Sequence, residues 1–128
     1  MIELPPALAD SDAATLASID RPIDLVHLAR MTLGERALER EVLQLFDRQA
    51  TMLIGRMRGA GPSAVAAVAH TLKGSARGIG AWRVARAAEA LEVACASGGG
   101  AEIAGALDRL DAAAREARAV IAELLRAN

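Results

Sequence analysis

Glycine and proline are concentrated at a few points of the chain and divide it into four long segments. The breaks fall at Gly34 and within residues 59–62, 78–80 and 97–100. Inside the segments, apolar residues recur at about the helical period, with charged residues between them. We therefore predict helices over residues 35–58, 62–77, 81–96 and 101–126. Because the links are only about two to five residues long, neighbouring helices must run antiparallel, as in an up-down four-helix bundle.

Alanine favours an all-α architecture. It occupies 31 of the 128 positions, whereas aromatic residues make up 2% of the chain. Alanine is the strongest helix former, and strands favour β-branched and aromatic residues. An all-β fold is therefore close to excluded. Alanine at helix interfaces would also let the axes approach towards the short end of the usual range of about 8–10 Å.

The helical period predicts which residues face the core. In the first long helix these are Leu38, Val42, Leu45, Phe46, Met52 and Leu53. In the second they are Val65, Val68, Ala69, Leu72, Ala76 and Ile79. In the fourth they are Ile103, Leu107, Leu110, Ala114, Ala117, Ile121 and Leu124. Four further side chains are expected in the core, at its rim or at a helix junction: His27, Met57, Trp82 and Cys95.

The chain before Gly34 is less regular. Ser11 fits the N-cap of a short helix, and Pro22 breaks that helix. Asp24 then opens a short apolar stretch that ends near Gly34. We predict an N-terminal extension with a short helix over residues 1–21, followed by the bundle over residues 22–128. The bundle would thus carry one or two short N-terminal helices.

Charge and cysteine usage exclude several functions. The formal net charge is −1, and a chain without a field of one sign is not steered to nucleic acid or to a membrane surface. The single cysteine rules out an internal disulfide and a thiolate metal cage, which indicates a reducing compartment. No signal peptide or membrane-spanning run is recognisable. We expect a cytoplasmic protein with no metal site.

His70 lies on the face of the second helix that points away from the core. At about 100° per residue, the predicted core residues of this helix lie on one apolar stripe around Val65. His70 lies about 140° away from Val65 around the helix axis. Gly74 falls near 180°, roughly one turn beyond the imidazole, and costs a helix interior about 1 kcal/mol relative to alanine. Ala66 and Ala67 lie one turn before it. These short side chains indicate that something large approaches His70 closely.

Two cations share this face with the imidazole. Lys73 follows His70 by three residues and Arg77 by seven. A neutral imidazole is a good nucleophile near neutral pH. Once phosphorylated it would carry a dianionic group, and an ammonium one turn away would offset that charge. The spacing therefore fits a phosphoryl carrier.

At these residues the chain resembles a known family. The run His70-Thr71-Leu72-Lys73-Gly74-Ser75-Ala76, followed by Gly80-Ala81, is similar to the signature of the histidine-containing phosphotransfer (HPt) domains of two-component phosphorelays. The resemblance extends over roughly residues 23–96 and includes Asp24, Gly34-Glu35, Leu45-Phe46 and Leu91-Glu92.

The resemblance implies a role for each residue around His70. His70 would accept a phosphoryl group from an aspartyl phosphate on a receiver domain and pass it to another receiver. Lys73 would neutralise the phosphate, and Gly74 would let the receiver dock. Glu92 stands 22 residues after His70, where some members place a glutamine that orients the imidazole. The docking surface would also include Ala66, Ala67, Arg77 and Gly78, with Arg83 and Arg86 as second-tier contacts.

The same resemblance predicts the partners. They would be response-regulator receiver domains and an upstream hybrid histidine kinase, with Mg²⁺ held by the receiver and no cofactor on this chain. The glycine runs at residues 78–80 and 98–100 do not join a strand to a helix, and no Gly-Lys-Ser/Thr follows them. Without a nucleotide loop we do not expect a self-sufficient kinase, and the resemblance implies a phosphoryl carrier that is not itself an enzyme. We expect it to be a monomer.

Two other functions remain open from the residues alone. The first is a non-catalytic helical interaction module in which the apolar last helix mediates dimerisation. The second is the phosphoacceptor module of a larger chemotaxis-type histidine kinase, to which the phosphate would come from ATP.

Overall fold

One short and four long helices make up residues 21–127, which are the residues that the computed structural model describes. The helices are α1 (Leu25–Met31), α2 (Arg36–Met57), α3 (Pro62–Ile79), α4 (Trp82–Ser97) and α5 (Gly100–Ala127). Within residues 21–127 there is no strand, and the all-α prediction is confirmed. The short helix predicted after Ser11 lies outside the described residues. The division of the chain at residues 21 and 22 therefore stays a prediction.

The long helices form a closed ring. α3 packs between α2 and α4, and α5 closes the ring between α4 and α2. Each link reverses the chain direction within a few residues, as the short connections require. Small side chains lie at the contacts, since Ala50, Ala69, Ala76, Ala88 and Ala117 are all fully buried. The result is the antiparallel bundle that the sequence predicts.

The ends of α3 set the position of the functional face. Pro62 stands in the first turn, where its missing N–H costs nothing, and Gly80 ends the helix in the left-handed conformation with a φ of 81°. α3 therefore runs two residues past the predicted end at Arg77. As a consequence, Gly78 lies on the helix and not in the turn.

The predicted core is correct in α3 and α5. In α3, five of the six predicted residues are buried and Val68 is half-buried. In α5, Leu107, Leu110, Ala114, Ala117 and Ile121 are buried, while Ile103 and Leu124 pack partly against the core. Each of these helices has one apolar stripe, so its orientation follows from the period alone.

The predicted core of α2 is partly wrong. Leu45 and Met52 are exposed by 58% and 50%, although they were expected inside. The buried stripe consists of Leu43, Phe46, Ala50, Leu53, Ile54 and Met57. Leu45 and Met52 precede Phe46 and Leu53 by one position, which turns them about 100° away from the core. α2 thus carries a second, exposed apolar line.

α1 is locked onto the turn between α3 and α4. Asp24 is 3% exposed, and its carboxylate accepts bonds from the His27 backbone N–H at 3.1 Å and from the Trp82 indole N–H at 2.8 Å. Its own N–H donates to the Gly80 carbonyl at 2.9 Å. The His27 ring meets Trp82 edge to face at 4.9 Å. The structure confirms that His27 and Trp82 pack at this junction.

Candidate functional site

His70 stands on the exposed face of α3. Its side chain is 71% exposed, while Ala69 and Leu72 beside it are fully buried. A Cβ added at Gly74 or at Gly78 would meet no atom within 4 Å, so solvent covers both glycines. Together with Ala66 and Ala67, they surround the imidazole with short side chains. The imidazole is therefore open to solvent on a face where the neighbouring turns carry short side chains.

Glu92 reaches the imidazole from α4. Its Oε2 lies 3.1 Å from His70 Nδ1. An ionised carboxylate only accepts hydrogen bonds, so Nδ1 is the nitrogen that carries the proton and donates. In a neutral ring, this leaves the lone pair on Nε2. The contact therefore selects one tautomer of His70.

Lys73 binds the other oxygen of the same carboxylate. Its Nζ lies 2.7 Å from Glu92 Oε1, and its side chain is only 13% exposed. The stem lies along the α3–α4 seam and carries the ammonium towards the site, as long basic side chains commonly do. Lys73 is thus less exposed than its predicted place on the His70 face suggests. His70, Lys73 and Glu92 form one cluster, which we call the His70 cluster.

The charge of Glu92 is set by this cluster. Partial burial tends to raise the pKa of the Glu92 carboxyl, but the contacts with Lys73 and His70 outweigh burial and lower the pKa below its usual value. Glu92 is therefore ionised at neutral pH. Cys95 lies one turn further along α4, and burial, together with the charge of Glu92, raises the pKa of its thiol. Cys95 is thus a half-buried apolar side chain, close to the expectation.

The predicted basic contacts point in different directions. Arg77 and Arg86 line a surface depression of about 300 Å³ between α3 and α4, together with Trp82 and Glu89. Arg83 instead pairs with Glu116 on α5 at 3.1 Å. Arg77 and Arg86 therefore lie near the His70 face, whereas the charge of Arg83 is directed to α5.

The link between Lys73 and Glu92 was missed at the level of sequence. One signal points to the neighbourhood of Glu92. His70 and Glu92 stand 11 residues before and after Ala81, so an antiparallel hairpin brings them level. Lys73 follows His70 by three residues and can therefore reach the same carboxylate.

Within residues 21–127, no group of three or more histidine, cysteine or acidic side chains could hold a metal ion. No described helix is long and apolar enough to cross a membrane.

Comparison with protein families places the chain among the phosphotransfer domains. The family model described as "Hpt domain" matches residues 35–125, which is more than half of the chain, so the chain belongs to the Hpt family. Members of this family are phosphoryl carriers in phosphorelays, where they interact with response-regulator receivers.

The fold agrees with this family. The chain is similar to the crystal structure of a rice protein assigned as a histidine-containing phosphotransfer protein, with a TM-score of 0.76. The match covers 94% of this chain and 92% of the rice chain at 22% sequence identity, so it shows the fold alone. No curated protein matches the chain.

Proposed function

We propose that this chain accepts a phosphoryl group on His70 from a receiver-domain aspartyl phosphate and passes the group to a second receiver. The observation that carries the proposal is the exposed imidazole, whose Nδ1 lies 3.1 Å from a carboxylate oxygen of Glu92. Nε2 is then the nucleophilic atom. Membership of the Hpt family supports this chemistry at the coarser level of phosphotransfer.

The first step forms one bond and breaks another. The lone pair of His70 Nε2 attacks phosphorus in line with the aspartyl oxygen of the donor, and the electron pair of the P–O bond leaves with that oxygen. In the second step, a carboxylate oxygen of the acceptor attacks phosphorus and the pair of the P–N bond returns to Nε2. Lys73 offsets part of the phosphoryl charge in both complexes. Mg²⁺ would be bound by the receiver and organise the transfer there.

The surface around His70 would receive the partner. Gly74, Gly78, Ala66 and Ala67 present no side chain large enough to hold a receiver away from the imidazole. Arg77 is exposed beside them and would face the acidic pocket of a receiver. The receiver would in turn be supplied with phosphate by a hybrid histidine kinase, in the cytoplasm.

The carrier would act as a monomer. The alternative of dimerisation through the last helix requires a free apolar face on α5. The apolar stripe of α5 instead packs inside the bundle, where Leu110, Ala117 and Ile121 are at most 1% exposed. This burial favours the carrier over the interaction module.

Phosphate uptake tests the assignment of His70. The protein is incubated with a phosphorylated receiver, and acid-labile, base-stable phosphate on the chain is measured. We expect uptake by the wild type, none by His70→Gln, and uptake by His27→Gln, which removes the other of the two histidines. Circular dichroism checks that both variants fold. Uptake by His70→Gln would contradict the assignment.

A further inference from the structure

Phosphorylation changes the charge of the His70 ring and the ease with which Nδ1 can lose its proton. Before transfer, the neutral ring holds one proton on Nδ1 and the lone pair on Nε2. Once Nε2 has bonded to phosphorus, the ring is an imidazolium with its proton still on Nδ1, and that proton can be lost to water. The ring lies 71% exposed, so solvent has access to it.

We infer that Glu92 keeps the proton on Nδ1 after His70 is phosphorylated and thereby holds the phosphoryl group in its transferable form. The inference rests on the proposed function and concerns the second step of the transfer. With Nδ1 protonated, the group that leaves phosphorus is a neutral imidazole. With Nδ1 bare, it would be an imidazolate, which is a far stronger base and a far poorer leaving group.

The type of side chain at residue 92 carries this inference. A carboxylate only accepts hydrogen bonds, so Glu92 stabilises the protonated Nδ1 and repels a bare one. A carboxamide could accept from a protonated Nδ1 through its oxygen or donate to a bare Nδ1 through its nitrogen. It would therefore tolerate both forms. Glutamate selects the reactive form where glutamine does not.

Lys73 makes the arrangement compatible with a phosphate nearby. Lys73 lies 2.7 Å from Glu92 and offsets part of its charge, so the phosphoryl dianion is added beside a cationic ring and a lysine and not beside a lone carboxylate. Loss of the Nδ1 proton would add one negative charge to this cluster. Glu92 from α4 and Lys73 from α3 are the charged groups that face the ring, with Glu89 and Arg77 one turn further along. α2 packs against the other flank of α3, near Ser75 and Ile79.

Nuclear magnetic resonance of phosphorylated protein tests the inference directly. The protein, labelled with ¹⁵N in histidine, is phosphorylated with phosphoramidate, a small donor that needs no receiver, and Nδ1 is followed between about pH 6 and pH 9. His70→Gln identifies the signal. We expect Nδ1 of wild-type phosphohistidine to keep its proton to a pH at least about one unit higher than in Glu92→Gln. Glu89→Gln removes the same charge from an exposed position of α4 and should behave as the wild type.

Onward transfer gives a second readout. Between about pH 6.5 and pH 8.5 the transfer rate to an acceptor receiver should change less than about threefold in the wild type and fall about tenfold in Glu92→Gln. Equal loss of the Nδ1 proton in wild type and Glu92→Gln overturns the inference while leaving the carrier function intact. If phosphoramidate labels His70 but a phosphorylated receiver does not, the carrier function fails and the proton measurement still decides the role of Glu92. If neither donor labels His70, both fall.

Discussion

At the scale of single residues, the two glycines on the His70 face and Glu92 differ in what they contribute to the fold. Gly74 and Gly78 each weaken a helix relative to alanine, yet neither is needed for packing, because solvent covers the position of a Cβ. Packing within the chain therefore does not explain why these two positions are glycine. Glu92, in contrast, contacts both His70 and Lys73. Its carboxylate therefore belongs to the candidate site and also links α4 to α3.

Replacement of Gly74 separates docking from stability. We expect Gly74→Gln to weaken receiver binding by about tenfold or more, because the new side chain projects into the space that the partner needs. The fold should be unchanged or up to about 1 kcal/mol more stable, since glutamine is the better helix former. Gly55→Gln is the matched control, because Gly55 is also helical and open to solvent but lies on α2. Titration of each variant with the receiver measures the effect, and equal binding by both variants would refute the steric account.

The lowered pKa of Glu92 predicts a pH dependence of stability. A carboxyl whose pKa is lower in the folded than in the unfolded protein stabilises the fold above its unfolded pKa of about 4.3. That contribution is lost as the pH falls through the folded pKa. Urea unfolding should therefore show Glu92→Gln to be less stable than the wild type at pH 7, with the difference vanishing once the pH lies below the folded pKa of Glu92. A difference independent of pH would show that the carboxylate charge is not the cause.

At the scale of elements, the junction of α1 with the α3–α4 turn holds the bundle end together. Gly80 has a positive φ, and its backbone is in contact with Asp24. A Cβ at Gly80 would lie 3.0 Å from the Cβ and the carbonyl oxygen of Asp24. The turn therefore needs glycine for two reasons, conformation and close approach.

A pair of glycine substitutions distinguishes those two reasons. Gly59 also has a positive φ, 79°, but a Cβ there would meet nothing within 4 Å. Gly59→Ala should cost about 1–2 kcal/mol of unfolding free energy from conformation alone. Gly80→Ala should cost at least about 1 kcal/mol more, because Asp24 must shift as well. Equal losses of unfolding free energy in the two variants would show that α1 can shift away from a Cβ at Gly80 without loss of stability.

The elements differ in how far they follow from the sequence. α3 and α5 each have a single apolar stripe, so the outward position of His70 could be predicted from the helical period. α2 has apolar residues on two adjacent lines, and only packing against α3 and α5 decides that Leu45 and Met52 are exposed. The bond between His70 and Glu92 depends on the register of α3 against α4. That register can be predicted from the sequence only when the position of the turn at Gly80 is known.

At the scale of the whole molecule, one side of α3 packs in the core of the bundle while the other side, with His70, is open to solvent. Its core is built from small and aliphatic residues that hold α3 and α4 in register, which fixes the 3.1 Å contact between His70 and Glu92. On the opposite side of α3, Ala66 and Gly74 occupy the positions one turn before and after His70. Under the proposed function, the chain would present His70 to a separate partner as a nucleophile that the fold already holds in place.

A relay between two receivers tests the central claim most directly. One receiver is phosphorylated with labelled phosphate and freed of its donor, and this chain and a second receiver are then added. We predict that label passes through the chain to the second receiver with the wild type, and that none reaches it when His70→Gln replaces the wild type. Label that reaches the second receiver equally fast with His70→Gln would contradict the account.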